Sequence, residues 1–125
     1  MRADEERLRD MLEAIHHVQR YTAAGRERFD ADELVQSWTL RHLQVIGEAA
    51  RALSADLRDA HPEIPWRDII GMRQILVHHY FGIDLNAVWT AVEGHLPSLR
   101  QAITAILDEP TASQASTPGE RCPDS

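Results

Sequence analysis

Arginine, histidine and tyrosine side chains lie close together in an otherwise apolar stretch of the chain, at Arg73, His78, His79 and Tyr80. An arginine can contact two phosphoryl oxygens at once and offset the charge that develops during displacement at phosphorus. A histidine titrates near neutral pH, so it can take a proton from a sugar hydroxyl or return one to a leaving oxygen. Arg73 and His78 are therefore the candidate catalytic residues, and the chemistry they favour is cleavage of a phosphodiester.

Such a pair requires no metal ion, because RNA supplies its own nucleophile in the 2′-hydroxyl, which DNA lacks. The residues therefore predict metal-independent cleavage of RNA that leaves a cyclic phosphate, with no DNA substrate expected. The sequence contains no glycine-rich phosphate loop and no Gly-x-Ser-x-Gly elbow, which are typical of other phosphate-binding and nucleophilic sites.

Helical periodicity limits how these side chains can meet. At about 100° per residue, Arg73 and Tyr80 fall within the apolar arc around Ile69, whereas His78 lies about 140° round from Arg73. A cation on an apolar face needs a counter-charge, a bound anion or a watery cleft, and Glu48 is the expected partner of Arg73. One straight helix cannot direct both catalytic candidates at the same phosphate. Either the helix distorts or two copies share the site in a twofold dimer, and we favour the shared site.

Apolar residues spaced by three and four predict helices through most of the chain, and no segment shows β alternation. The expected fold is all-α: an up-and-down four-helix bundle with a short extra helix, over residues 1–108. The main helices are predicted at about 4–24, from the cap candidates Asp30 and Asp32 to Leu53, at about 66–80, and from Asp84 to about 108.

Cap and break signals refine this pattern. Ser54 can cap the short extra helix, which must end before Pro62, and Pro97 should kink or split the fourth helix near Gly94. Residues 109–125 are rich in Pro, Ser, Thr and Gly, which predicts a disordered tail.

The composition indicates a cytoplasmic protein without a strong charge-based attraction to nucleic acid. The 125-residue chain carries a formal net charge of −7, and all 13 basic residues are arginine. A lone cysteine, Cys122, permits no internal disulfide. The start of the chain has no apolar signal segment and no apolar run is long enough to span a membrane, so no membrane association is expected.

Other polar and aromatic residues receive structural interpretations. Glu13 and His16 have a spacing found in di-iron bundles, but the second such pair is missing, so no metal site is expected. His16 and His17 are interpreted as a solvated pair on the first helix. The tryptophans fall at helical core positions and are expected to pack in the core, namely Trp38, Trp66 and Trp89.

The stretch from Gly71 to Tyr80 resembles the Arg-x4-His-x-Tyr motif of HepT-like toxins, in the HEPN superfamily of all-α RNases. The resemblance covers about residues 5–108. It also includes five short segments that flank the motif and follow one another in the order typical of the family: Ile46-Gly47-Glu48-Ala49-Ala50, Trp66-Arg67-Asp68-Ile69-Ile70, Phe81-Gly82-Ile83-Asp84, Val88-Trp89 and Leu96-Pro97.

This resemblance implies the toxin component of a type II/VII-like toxin–antitoxin system, a homodimeric endoribonuclease whose cleft is formed by paired motifs and which uses no cofactor. Arg73 and His78 carry over as catalytic residues. A cognate nucleotidyltransferase antitoxin would transfer AMP onto Tyr80, adding negative charge and bulk beside the guanidinium. The family usually has a small polar residue, often Asn, after the arginine. Gln74 departs from that pattern, which leaves its supporting role open, and His79 is interpreted as a surface residue or one that supports the site, as Glu48 does.

Two other functions fit the same sequence. The bundle could be a non-catalytic subunit that binds a nucleotide or presents Tyr80 to a nucleotidyltransferase, because a net negative charge suits a protein partner better than RNA. It could also be a structural dimerisation module, in which Arg73 forms only a salt bridge and Tyr80 is a core aromatic residue.

Overall fold

The computed structural model of the chain describes residues 2–74 and 84–108, and every regular element in these ranges is helical. The all-α, HEPN-like fold class is therefore confirmed, whereas the predicted tail, residues 109–125, lies outside the described residues. The elements are α1 (Arg2–Tyr21), α2 (Arg26–Ala31), α3 (Glu33–Ala52), α4 (Ala55–Ala60), α5 (Trp66–Gly71), a 3₁₀ turn (Met72–Gln74), α6 (Leu85–Gly94) and α7 (Leu96–Asp108).

Side-chain caps fix the beginnings of three helices, as their sequence positions predict. The carboxylate of Asp32 accepts hydrogen bonds from the first backbone N–H groups of α3. The hydroxyl of Ser54 accepts from Leu57 N at 3.1 Å to begin α4, and Asp84 accepts from Ala87 N at 3.1 Å to begin α6. Each cap satisfies donors that a helix end leaves unpaired.

The observed boundaries differ from the predicted ones at two places. The first helix ends at Tyr21 rather than near residue 24, and the added short helix α2 follows Gly25, whose φ of 101° suits a residue without a side chain. The helix predicted from about residue 66 begins as α5, which ends at Gly71 and is followed by the 3₁₀ turn. The predicted break near Gly94 is confirmed, because α6 ends there and α7 starts at Leu96, one residue before Pro97.

The core lies between the two long helices α1 and α3, with α7 packed on α1 and α6, and α5 packed on α3. Buried aliphatic side chains from all of these helices fill it, including Met11, Ile15, Leu43, Ile46, Ile69, Val88, Leu96 and Ile103. A buried polar contact joins the start of α1 to the start of α4, because Asp4 accepts hydrogen bonds from the Ser54 backbone N–H and hydroxyl, at 3.0 and 2.6 Å.

Neither residues 2–74 nor residues 84–108 contain a helix that is long and apolar enough to span a membrane.

Candidate functional site

Arg73 lies in the 3₁₀ turn that follows α5, and buried neighbours hold this turn in place. Ile69 and Met72 are buried in the core, 0% and 3% exposed. At the start of α5 the indole N–H of Trp66 donates to the carbonyl oxygens of Arg58 and His61, at 3.1 and 3.0 Å. The backbone that carries Arg73 is therefore held by the packing of Ile69 and Met72 and, at the start of α5, by the hydrogen bonds of the Trp66 indole N–H.

Gly47 of α3 allows the Arg73 turn to approach the long helix closely. A Cβ atom at residue 47 would lie 2.8 Å from the backbone nitrogen of Arg73 and 3.0 Å from its Cβ. It would also lie 3.0 Å from the carbonyl oxygen of Ile70. Real Cβ atoms do not approach backbone atoms this closely, so any larger residue at 47 must push the turn away from α3.

Replacing Gly47 with alanine should therefore destabilise the fold by about 1–2 kcal/mol, since overpacking outweighs the better helix propensity of alanine. Urea unfolding followed by circular dichroism measures this change. Gly94→Ala is the matched control, because it also lies in a helix and its added Cβ would meet no atom within 4 Å. We expect Gly94→Ala to keep or slightly raise the free energy of unfolding. Equal stability in both variants would contradict the close contact at Gly47.

Glu48, the next residue along α3, pairs with Arg73 as the sequence predicts. The Nη1 atom of Arg73 donates to Oε2 of Glu48 at 2.5 Å. The other carboxylate oxygen of Glu48 lies 3.7 Å from Nε of Arg51, one turn later on α3. The carboxylate therefore lies between two guanidinium groups and directs that of Arg73.

The pairing leaves part of the Arg73 guanidinium available for another ligand. A guanidinium has five N–H donors, and one hydrogen bond to Glu48 uses a single nitrogen. The Arg73 side chain is 31% exposed rather than enclosed in the core, whereas its Nε atom is buried and finds no hydrogen-bond partner within residues 2–74 and 84–108. The arrangement can present a fixed cation to an anionic group, because Glu48 orients the side chain while leaving its other donors unused.

Only part of the predicted site lies within the described residues. Arg73 and Glu48 meet, and Gln74 follows as an exposed residue at the end of the 3₁₀ turn. His78, His79 and Tyr80 lie outside the described residues, so their catalytic, supporting and modification roles remain predictions. Within the described ranges no three His, Cys, Asp or Glu side chains form a group that could hold a metal ion.

The structure corrects the interpretation of Trp38 and His17. Trp38 is 48% exposed rather than buried, whereas Trp66 and Trp89 pack against the core as predicted. His17 is half-buried rather than solvated, and it lies in a group of four rings with Tyr21, Trp38 and His42. The sequence signal for this group is weak, because it depends on how α1 and α3 are positioned against each other.

Comparison with known proteins identifies the class to which this fold and site belong. The family described as Ribonuclease HepT-like matches residues 11–106, which include Gly47, Glu48 and Arg73. The chain therefore belongs to the HepT-like ribonuclease family. This membership confirms the resemblance to the HepT-like family and the expectation of an endoribonuclease.

Individual relatives agree with this membership. The chain is 38% identical to the “Probable ribonuclease HepT” of Thermococcus cleftensis over 79% of this chain and 91% of that protein. It is 32% identical to a protein of Methanocaldococcus jannaschii named as a candidate RNase, over 79% of this chain and 92% of that protein. A third relative from the same organism, 34% identical, is named as a gamma-glutamylcyclotransferase and candidate RNase. The match spans 82% of this chain but about half, 46%, of that longer protein. No solved structure matches the chain significantly.

Proposed function

We propose that the chain is a metal-independent endoribonuclease toxin in which Arg73 and His78 cleave RNA at a site shared by two copies. The observation that carries the proposal is the Arg73 guanidinium, which Glu48 orients while its side chain stays partly exposed. Arg73 also begins the family motif, and the family match includes it. A structural salt bridge alone does not require that exposure.

In the proposed reaction, Arg73 binds the phosphoryl oxygens of the scissile phosphodiester and offsets the charge that accumulates on them. The imidazole of His78 takes the proton of the 2′-hydroxyl, and the 2′-oxygen attacks the adjacent phosphorus. The bond from phosphorus to the 5′-oxygen breaks, and that oxygen leaves with a proton from a protonated imidazole. The products are a 2′,3′-cyclic phosphate and a free 5′-hydroxyl, so the reaction consumes neither water nor a metal ion.

The position of Arg73 supports a site shared between copies. The α-helix ends at Gly71, so the angular separation between Arg73 and His78 expected for a straight helix no longer applies and does not itself require a second copy. Arg73 still lies at the surface beside an exposed face of α3. A twofold dimer that pairs this region would bring two copies of the motif together, and it would concentrate arginine charge within a chain of net charge −7.

We further propose that a cognate nucleotidyltransferase antitoxin silences the enzyme in the cytoplasm by transferring AMP onto Tyr80. The phenolic oxygen would attack the α-phosphorus of ATP, and pyrophosphate would leave. The attached phosphate would compete with RNA for the Arg73 guanidinium and would repel the RNA backbone. Mass spectrometry of the chain co-expressed with that nucleotidyltransferase should find the AMP addition on the peptide that contains Tyr80. An addition confined to other residues would contradict this mode of silencing.

Cleavage of a structured RNA by the purified chain in excess EDTA tests the enzyme assignment. We expect fragments that end in a cyclic phosphate, recognised by their resistance to phosphatase until acid opens the ring. Cleavage that stops in EDTA and returns with Mg²⁺ would contradict the metal-independent reaction.

The net charge of −7 favours one second candidate function, a non-catalytic subunit that binds the nucleotidyltransferase. Intact RNA together with a tight complex between the two proteins would support that function instead.

A further inference from the structure

Four aromatic rings from two helices form a group on the surface between α1 and α3, which we call the ring cluster: His17, Tyr21, Trp38 and His42. The Tyr21 ring centroid lies 5.4 Å from that of Trp38 in an edge-to-face contact, with an interplanar angle of 86°. The His17 and His42 centroids lie 5.2 Å apart. Nδ1 of His42 lies 2.7 Å from the carbonyl oxygen of Trp38. These contacts hold the rings in fixed mutual positions.

The ring cluster presents an aromatic surface to solvent that the fold itself does not use. Trp38 is 48% exposed, although burial of an indole is strongly favourable. An edge-to-face pair leaves ring faces available for a further flat ring, because each contact covers one face of only one partner. A fixed group of rings with Trp38 exposed at its surface is therefore suited to bind another planar aromatic group.

An open groove between α1 and α3 lies beside the contact of Glu48 with Arg73, and its lining begins on α3 one helical turn after Trp38. Its volume is about 460 Å³, and its lining includes Arg7, Asp10, Arg41 and Glu48. Arg41 follows Trp38 by one helical turn and forms no ion pair with any residue in the described ranges. Glu48, which also lines the groove, holds Arg73. Trp38, Arg41 and Glu48 are spaced by three and seven residues on one helix and therefore share one side of α3.

The charges along this groove indicate which part of a nucleic acid it can bind. The lining includes two arginines and two acidic residues, Arg7 and Arg41 against Asp10 and Glu48, so these four contribute no net charge. The whole chain carries −7. Neither the groove nor the protein can attract a phosphate backbone strongly, since non-specific RNA affinity comes mainly from basic charge. Stacking on aromatic rings does not depend on net charge, and it accepts every base because each base has a π face.

We propose that the ring cluster is a base-stacking platform that binds unpaired bases of the RNA substrate, with Trp38 as its main contact. The inference rests on the proposed RNase function and adds where the substrate is held. Trp38 precedes Glu48 by ten positions on α3, or about 15 Å at the helical rise per residue. A stacked strand advances about 3.4 Å per nucleotide, so the platform binds a base about four nucleotides from the phosphate at Arg73.

Binding of fluorescent 2′-O-methyl oligonucleotides, which cannot be cleaved because the nucleophile is blocked, tests the platform separately from catalysis. With the full chain and single strands of two to eight nucleotides, Trp38→Ala should weaken binding of the longer strands by about 5- to 150-fold. Dinucleotide binding should not change, because a dinucleotide bound at Arg73 does not reach the rings. Trp38→Phe should retain most of the affinity. Leu34→Ala is the matched control, since Leu34 is an exposed apolar residue of α3 that belongs to neither the ring cluster nor the groove lining, and it should bind like the wild type.

Unchanged affinity of Trp38→Ala for eight-nucleotide strands would overturn the platform. The platform would also be overturned if Trp38→Ala were a monomer, the wild type an oligomer, and RNA binding intact in both. That result would show that the ring cluster is a protein interface. Sedimentation velocity provides that readout. The platform and the proposed function fail separately: loss of long-strand binding in Trp38→Ala supports the platform even if the wild-type chain leaves RNA uncut. If Trp38→Ala cleaves RNA at the wild-type rate and the affinity does not depend on strand length, the RNase assignment stands and the platform is overturned.

Discussion

Replacing Arg73 with alanine should lower the rate of RNA cleavage by about 100- to 1000-fold, the usual cost of removing one donor to a developing oxyanion. Glu48 orients the guanidinium through one N–H group of Nη1, and the other N–H groups take no part in that contact. Its loss therefore removes a charge that is positioned before the substrate arrives. Single-turnover cleavage of a short fluorescent RNA, measured at saturating enzyme, separates this loss from a loss of binding.

Two further variants make the Arg73 result specific. Arg9→Ala removes an exposed guanidinium on α1 whose only described partner is Glu5 at 3.6 Å, and it should cleave like the wild type. Arg73→Lys keeps the charge but loses the planar fork, so it should recover only a fraction of the lost rate. Full cleavage by a folded Arg73→Ala variant would refute the catalytic role and would leave Arg73 as a structural partner of Glu48.

Replacing His78 with alanine should lower the cleavage rate by about 100- to 10 000-fold, the range expected when a general acid–base group is lost. The prediction follows from the motif spacing, because His78 lies five residues after Arg73, the spacing of the Arg-x4-His-x-Tyr motif that the sequence resembles. The rate should be measured under the same single-turnover conditions, together with the affinity for an uncleavable RNA. Affinity should change little, since an imidazole that transfers protons contributes more to the transition state than to binding.

His79 supplies the matched control for His78, because it is the same residue type at the next position. The sequence predicts a helix over about residues 66–80, in which neighbouring side chains would point about 100° apart, so only one of the two histidines would serve the same phosphate. His79→Ala should therefore keep most of the activity. A larger loss in His79→Ala than in His78→Ala would move the acid–base role by one residue and would break the motif assignment.

Local rules predicted much of the fold from sequence. The caps Asp32, Ser54 and Asp84 and the break before Pro97 follow from the hydrogen-bonding needs of helix ends and from the geometry of proline, both of which act over a few residues. The salt bridge between Arg73 and Glu48 was also predicted, because a guanidinium on a largely apolar face needs a carboxylate nearby. The family resemblance added the roles of motif residues that periodicity alone does not assign.

Tertiary contacts could not be predicted in the same way. The close approach at Gly47 depends on where α5 crosses α3, and nothing in the local sequence reveals that distance. The change from α to 3₁₀ geometry after Gly71 has the same origin. Trp38 matched a helical core position, yet it is exposed, because the edge of the core depends on how α1 packs against α3. The ring cluster is thus a property of the packed helices rather than of either helix.

The most direct test of the shared catalytic site is to mix subunits that carry Arg73→Ala with subunits that carry His78→Ala. If each site combines Arg73 of one copy with His78 of the other, every mixed dimer contains one intact site. Random mixing makes half of the dimers mixed and gives each of them one active site of two, so activity should rise to about a quarter of the wild-type value. If the two variants carry different affinity tags, purification on one tag and then on the other confirms that mixed dimers have formed. Mixed dimers that are no more active than either variant alone would contradict a site built from two copies.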